Sequence, residues 1–336
     1  MNPELVKLKE LSSRIGRDSS LIQASGGNTS LKENGVLWVK ASGKRLSHAL
    51  DENIFVAINL ELLLKELADN PELENTKVEK ICGSNLRASI ETSLHALISD
   101  SVVLHTHSVD VIACTLSSDA QTYLDKALLG IDWEWIRYRR PGRPLANEIE
   151  KVLANKHSRV LILANHGLVV SAETSDKAEV LQNEVLIRLK QYPREIIPPN
   201  LVDLLNIVEQ IPNARLPQSP VIHSLATDEW SFELVQRNSP YPDHAVFCGQ
   251  HPWIVGGLLS PPSSQVSYGI VRGLGVFLLE KATSTTEEML VAQAEIFLRP
   301  PPNKTVNLLS DSACGELINW DAEKYRQALD SKHLTN

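Results

Sequence analysis

The chain has 336 residues, 43% of them hydrophobic and 22% charged, with a formal net charge of −8. That length fits one large or two medium domains and leaves enough apolar material for a sizeable core. The acidic balance, with no basic run interleaved with aromatic residues, argues against a nucleic-acid surface.

The opening stretch "MNPELVKLKELSSRIGRDSSLIQ" has apolar residues at helical spacing and no uninterrupted apolar core. It reads as an amphipathic helix, not as a signal peptide or a membrane span. "ASGGNTSLKENGVLWVKASG" follows as a Gly/Asn/Ser turn and a hairpin, with "ENG" at the tip and "VLWVKA" as the return strand. Residues 53–70 run from a strand into a helix. "ASIETSLHALISD" sets Ile90, Leu94, Leu97 and Ile98 on one helical stripe. "VVLHTHSVDV" is an apolar strand carrying His105 and His107, and "DVIACTL" starts the next helix. "RVLILANHGLVVSA" is two apolar strands broken at "NHG", and Thr174, Ser175 and Asp176 cap the helix after it. Strand and helix alternate throughout, so the class is α/β.

Prolines then cluster in "PREIIPPN" and "NARLPQSPVIHS". We divide the chain into a domain over 1–197, a Pro-rich linker over 198–224, and a smaller α/β lobe over 225–336. "HGLVVSAETSDKAEVLQNEVL" and "LGVFLLEKATSTTEEMLVAQAEI" share Gly, apolar strand, Ser/Thr cap and acidic helix, so the lobe is either a degenerate repeat or generic strand–helix grammar. His244 and His251 lack a third partner and read as structural. Trp320 and Tyr325 read as packing anchors of a terminal helix. Cys82, Cys114, Cys248 and Cys314 lie far apart with no C-x-x-C pair, which suits a reducing cytoplasm and argues against a thiolate zinc site. Any metal is left to imidazoles and carboxylates.

Alternation along a strand puts His105 and His107 on one face with Val103. Two parallel imidazoles are either the start of a metal site or a hydrogen-bonded pair at a strand end. His166, at a strand break before Gly167, is the third candidate; three histidines with an open fourth position is a catalytic zinc pattern. Glu91 sits in the first turn of its helix, where the dipole favours it, and beside a cation it could act as general base. His95, one turn on, either orients Glu91 or packs at the helix edge, the plainer reading. "SGGNTS" and "ASGKRL" offer backbone N–H groups and short donors for a phosphate or carboxylate, or are simply turns.

"GGNTS", "KASG", "SIETSLH", "VLHTH" and "ANHG" occur together in this order over the first ~200 residues, and that set resembles the class II aldolase/adducin family, which includes fuculose-phosphate and rhamnulose-phosphate aldolases and ribulose-phosphate 4-epimerase. The resemblance implies a three-layer α/β/α fold around a mostly antiparallel sheet, and a cytoplasmic homo-oligomer, tetramer or dimer, with no membrane partner. It implies His105, His107 and His166 as ligands of Zn2+ or another divalent metal (Mn2+, Co2+, Fe2+). Glu91 is implied as the catalytic acid/base, and Gly27, Asn28, Ser42, Gly43 and Ser89 as substrate- or phosphate-binding residues. The implied reaction is aldol cleavage of a sugar or sugar phosphate, a ketose 1-phosphate first, through a metal-stabilised enediolate. Epimerase, dehydratase, decarboxylase and a non-catalytic adducin-like module are the alternatives. Two departures stand out. Ile90 replaces the second serine that often precedes the glutamate, which puts a phosphorylated substrate in question; Arg87, in "GSNLRAS", is a candidate replacement or part of a plain turn. The tail is similar to the middle of bifunctional aldolase/dehydrogenase chains, but Gly273-Leu274-Gly275 lacks the third glycine and acidic partner of a dinucleotide site, so no attached dehydrogenase is expected.

Overall fold

Asn34 and Gly35 take φ of 50° and 76°, the left-handed pair that a two-residue hairpin turn requires. In the computed structural model, which describes residues 2–71, 80–81, 85–154, 156–256, 263, 266–302 and 304–331, this turn joins β1 (Asn28–Glu33) to β2 (Val36–Lys40). The chain forms two units, Met1–Val111 with Asp119–Lys190, and Ile112–Ser118 with Gln191–Asn336.

The first unit continues with β3 (Phe55–Asn59), β4 (Val102–Thr106), β5 (Trp133–Ile136), β6 (Val160–Leu163) and β7 (Gly167–Ala172). Their order in the sheet is β3-β2-β1-β4-β7-β6-β5, and only β5 and β6 pair in parallel. The expected mostly antiparallel α/β sheet is what forms. Its helices are α1 (Pro3–Gly16), α2 (Leu60–Asp69), α3 (Thr92–Leu97), α4 (Val109–Leu116), which runs on into the second unit, α5 (Ala120–Ala127), α6 (Arg143–Leu153) and α7 (Ser175–Arg188). Val102 and Leu104 of β4 pack with Leu5, Leu8 and Leu11 of α1 and Ala178 of α7. Val103, between them, packs with Leu94 of α3 and Leu145 and Ile149 of α6 on the opposite face. The period-2 apolar run thus feeds two helical layers. His105 and His107 share the Val103 face, under α3.

In the second unit, α8 (Leu201–Val208) lies inside the stretch assigned to the linker, and its Leu204 and Val208 are buried with Trp253 and Phe277. A 3-10 turn (Pro220–His223), α9 (Ser224–Thr227), α10 (Glu229–Val235) and α11 (Pro242–Cys248) precede the small sheet of β8 (Trp253–Ile254), β9 (Tyr268–Val271) and β10 (Gly275–Leu278). β8 pairs with β9 in parallel and β9 with β10 antiparallel. The outer edge of β10 is covered rather than left open: Val276 donates its N–H to Nδ1 of His223 at 3.1 Å, and Leu278 pairs with the Arg215 backbone. The unit ends with α12 (Ser284–Phe297), α13 (Asp311–Asn319) and α14 (Asp321–Ser331). Tyr325 is 36% exposed, so it is not the anchor expected of α14; Arg326 is, with Asp243 at 2.8 Å and Glu323 at 2.9 Å. Cys114, Cys248 and Cys314 are free and buried, while Cys82, Gly83 and Ser84 lie outside the described residues. Among the described residues, no helix is long and apolar enough to cross a membrane.

His244 is buried, with Nδ1 2.9 Å from Ser239 Oγ, and burial pushes its pKa from 6.5 down to about 3, against a smaller upward pull from Gln293. The unfolded chain protonates this ring first, so its stability term is intact above pH 6.5 and declines as pH falls from 6.5 towards 3. One such histidine costs about 1.4 kcal/mol per pH unit in that window. Urea midpoints at pH 7 and pH 5 should differ less in His244→Asn, which keeps a partner for Ser239, than in the parent; equal differences would remove His244 as the source.

Candidate metal centre

β4 presents His105 beside β1 and β7: His105 pairs across with Asn28 on one side and Val169 on the other. The β6–β7 turn supplies the third ring. Asn165 takes φ 52°, the His166 N–H bonds the Leu163 carbonyl at 3.2 Å, and the chain re-enters the sheet at Gly167. This brings the rings of His105, His107 and His166 together, with centroids 4.9 to 5.2 Å apart, and all three are buried. One ligand atom from each lies within 4.8 Å of the others, so the three can hold a metal ion. His105 Nδ1 meets the Leu168 carbonyl at 3.0 Å. A carbonyl only accepts, so this bond leaves Nε2 as the lone-pair nitrogen, the outer contact that orients metal-binding histidines.

Glu91 precedes α3 as its N-cap residue. Its Oε1 is 3.4 Å from His105 Nε2 and 3.3 Å from His166 Nε2, and Oε2 accepts from Asn28 Nδ2 at 2.7 Å. His107 Nε2 is 3.2 Å from His105 Nε2. Ligand atoms around a tetrahedral zinc at its usual bond lengths lie about 3.3 Å apart. Oε1 is buried without a hydrogen-bond partner, although two ring nitrogens face it. The donor set of imidazoles and one carboxylate therefore fits a divalent cation such as Zn2+. Burial alone would raise the Glu91 carboxyl, but His105, and then His166 and His107, outweigh it and hold the group well below the usual carboxylate range.

Of the remaining candidates, Gly27 and Ser89 adjoin His105 and Glu91, and Ser42 and Gly43 form a separate turn. Gly27 takes φ 61°, and a Cβ there would lie 2.8 Å from the His105 carbonyl oxygen. Gly43 takes φ 74°, and the Ser42 N–H bonds the Arg87 carbonyl at 2.9 Å. Ser89 caps the start of the Glu91 turn, its Oγ accepting from the Glu91 N–H at 3.2 Å.

Sequence reasoning missed Lys40. Its side chain is buried, and Nζ donates to the Ser25 carbonyl at 2.6 Å and the Lys44 carbonyl at 2.8 Å, pinning the two glycine loops to each other. A lysine in the last position of a strand that otherwise reads "VLWV" was the available signal. Lys40→Met keeps the stem and leaves two carbonyls without their donor, an expected loss of about 1–3 kcal/mol. A lower melting temperature in Lys40→Met would show that the amine sets the loops; an unchanged one would not.

A family profile described as "Class II Aldolase and Adducin N-terminal domain" matches residues 7–188, more than half of the chain. The chain belongs to that family, whose membership supports chemistry of the aldolase, epimerase or decarboxylase type. It is 29% identical over 253 residues to the uncharacterized oxidoreductase YuxG of Bacillus subtilis (strain 168), a match covering 69% of this chain and 36% of that relative. The chain thus spans about a third of that relative's length. The N-terminal class II aldolase domain of a conserved Thermoplasma acidophilum protein is 24% identical, covers 56% of this chain and 93% of its own, and superposes with a TM-score of 0.49. A Klebsiella pneumoniae protein, YgbL, described as a putative aldolase/epimerase/decarboxylase, is 20% identical, with 55% and 87% covered and a TM-score of 0.39.

Proposed function

We propose that the protein is a divalent-metal-dependent carbon–carbon lyase that cleaves a ketose, a ketose 1-phosphate first, and works as a homo-oligomer. The observation that carries this reading is the convergence of three imidazoles on one carboxylate oxygen, Glu91 Oε1, at 3.3 to 3.4 Å from two of them. His105, His107 and His166 would hold the cation. When bound, it supplies positive charge that offsets the negative charge developing on substrate oxygens as a C–C bond breaks.

The chain's own groups do the rest. Retro-aldol cleavage takes a proton from the C4 hydroxyl, breaks C3–C4 with the electron pair left on C3, and returns a proton to C3. Glu91 Oε1, which faces His105 and His166, would take that proton and give it back. Asn28 holds Oε2 and keeps Oε1 turned to the rings. The loops at Gly27–Asn28 and Ser42–Gly43 would hold a phosphate, with Ser42 contributing its hydroxyl because its N–H is taken by the Arg87 carbonyl, and with Lys40 joining the two loops. Ser89 contributes to that phosphate site through the turn it caps. Gly273-Leu274-Gly275 is the turn of the β9–β10 hairpin, not a strand-to-helix phosphate loop, which supports leaving hydride transfer out of these residues.

Elemental analysis of the purified protein, followed by a panel of ketose 1-phosphates and free ketoses with zinc-loaded enzyme, tests the reading. Stoichiometric divalent metal and aldehyde release are expected. Absence of metal at neutral pH would favour a binding scaffold, and metal without aldehyde release would favour a sister reaction. His107→Ala should remain folded yet lose metal affinity by at least about 10–100-fold, since even outer-shell partners of metal ligands are worth that much. An unchanged metal content in that variant removes His107 from the site.

A further inference from the structure

β1 carries polar side chains at every second position on its α3 side, and each finds α3. Asn28 Nδ2 donates to Glu91 Oε2, Ser30 Oγ bonds His95 Nδ1, and Lys32 Nζ donates to the His95 carbonyl, each at 2.7 Å. The spacing explains why three rungs can form. Two residues of strand advance about 6.6 Å and four residues of helix about 6.0 Å, so Asn28 to Ser30 matches Glu91 to His95. Ser30 and His95 are fully buried and Asn28 and Glu91 nearly so. Lys32 meets an end carbonyl of a helix that is only six residues long and has no side-chain cap at Glu91. Apolar packing of Leu94 presses α3 onto the sheet, but it does not specify sliding along the strand.

We propose that His95, held by Ser30 and Lys32, is a positioning residue that sets the register of α3 on β1 and thereby where Glu91 places Oε1 among the three imidazoles. The inference deepens the proposed function and rests on it for the role of Glu91. Burial, with smaller pushes from His105 and others, lowers the His95 pKa to about 3, so the ring is neutral and adds no charge to the cluster. Removing either half of the Ser30–His95 rung leaves the fold its apolar contacts and lets the carboxylate drift. A misplacement of about 1 Å can cost roughly 100-fold in turnover.

The test uses the full chain, labelled with 13C at glutamate carboxyl carbons and with the Glu91 resonance assigned from Glu91→Gln. It also uses the cobalt-loaded protein, whose visible spectrum reports the coordination sphere. In Ser30→Ala and in His95→Phe the Glu91 resonance should move while the other glutamates stay, and the cobalt spectrum should shift towards that of Glu91→Gln with metal stoichiometry retained. His95→Asn, which restores a polar group facing Ser30, should recover most of both. An unmoved Glu91 resonance in folded Ser30→Ala overturns the proposal. So does a shift in which all glutamates move together with the melting temperature, which would mark a purely structural role. If the parent binds no cobalt, the metal reading fails, and the carboxyl resonance still decides on His95.

Discussion

Glu91→Gln is expected to keep its metal and lose its turnover, with kcat falling by about 100- to 10,000-fold, the range for removing a general acid or base. Glutamine has the shape of glutamate and keeps an oxygen, so the Asn28 contact at 2.7 Å and the helix start survive. The three imidazoles that would bind the cation are untouched. What goes is the capacity of Oε1 to accept and return a proton. The split between the two measurements is the point: metal content by elemental analysis should match the parent, while aldehyde release should not. If the variant lost metal and activity in step, Glu91 would be acting mainly as a ligand. If it turned over like the parent, the acid/base assignment would fall.

The shared face of His105 and His107 was legible because alternation is a hard geometric rule, and Val102, Val103 and Leu104 obey it on both sides. The hairpin at Asn34-Gly35 was legible because few residues tolerate those φ values. Other features were not legible, for identifiable reasons. The helix expected through "ASIETSLHALISD" spans only Thr92–Leu97, because Ser89 and Glu91 are spent on starting it. Lys40 binds backbone carbonyls, which every residue carries, so no sequence pattern names its partners. The Ser30–His95 rung depends on the register between a strand and a helix 65 residues away in sequence. The proline-rich stretch looked like a linker because prolines flank it, yet α8 has the apolar face of a core helix.

The likeness noted between the two strand–helix stretches extends to backbone detail. In each unit a parallel pair is followed by an antiparallel one, β5-β6-β7 and β8-β9-β10. Asn165 (φ 52°) and Gly273 (φ 74°) occupy the turns, and Gly167 (φ 156°) and Gly275 (φ 159°) open the second strands. Thr174 and Thr283 cap the helices that follow. In this match Leu274 stands where His166 stands, and β10 is covered by His223 instead of by a histidine-bearing strand.

Gly167→Ala is expected to be strongly damaging for a change of a single methyl group. A Cβ there would lie 2.2 Å from the Thr106 carbonyl oxygen, 3.1 Å from its carbon and 3.2 Å from the His107 Cα. All three atoms belong to the main chain at the end of β4, so no rotamer change relieves the overlap. Either β7 moves away from β4, separating His166 from the other two rings, or β4 bends where His107 leaves it. Strain at φ 156° adds to the clash; together they should cost about 2–4 kcal/mol, from the usual ranges for backbone strain and overpacking. Gly35→Ala is the matched control, since φ there is 76° but a Cβ meets nothing within 4 Å, so only the left-handed penalty of about 1–2 kcal/mol applies. Melting temperature and bound metal should therefore fall together in Gly167→Ala, while Gly35→Ala melts slightly earlier and stays fully loaded. A Gly167→Ala protein that holds stoichiometric metal and melts with the control would mean that the β4–β7 contact does not set the separation of the three rings.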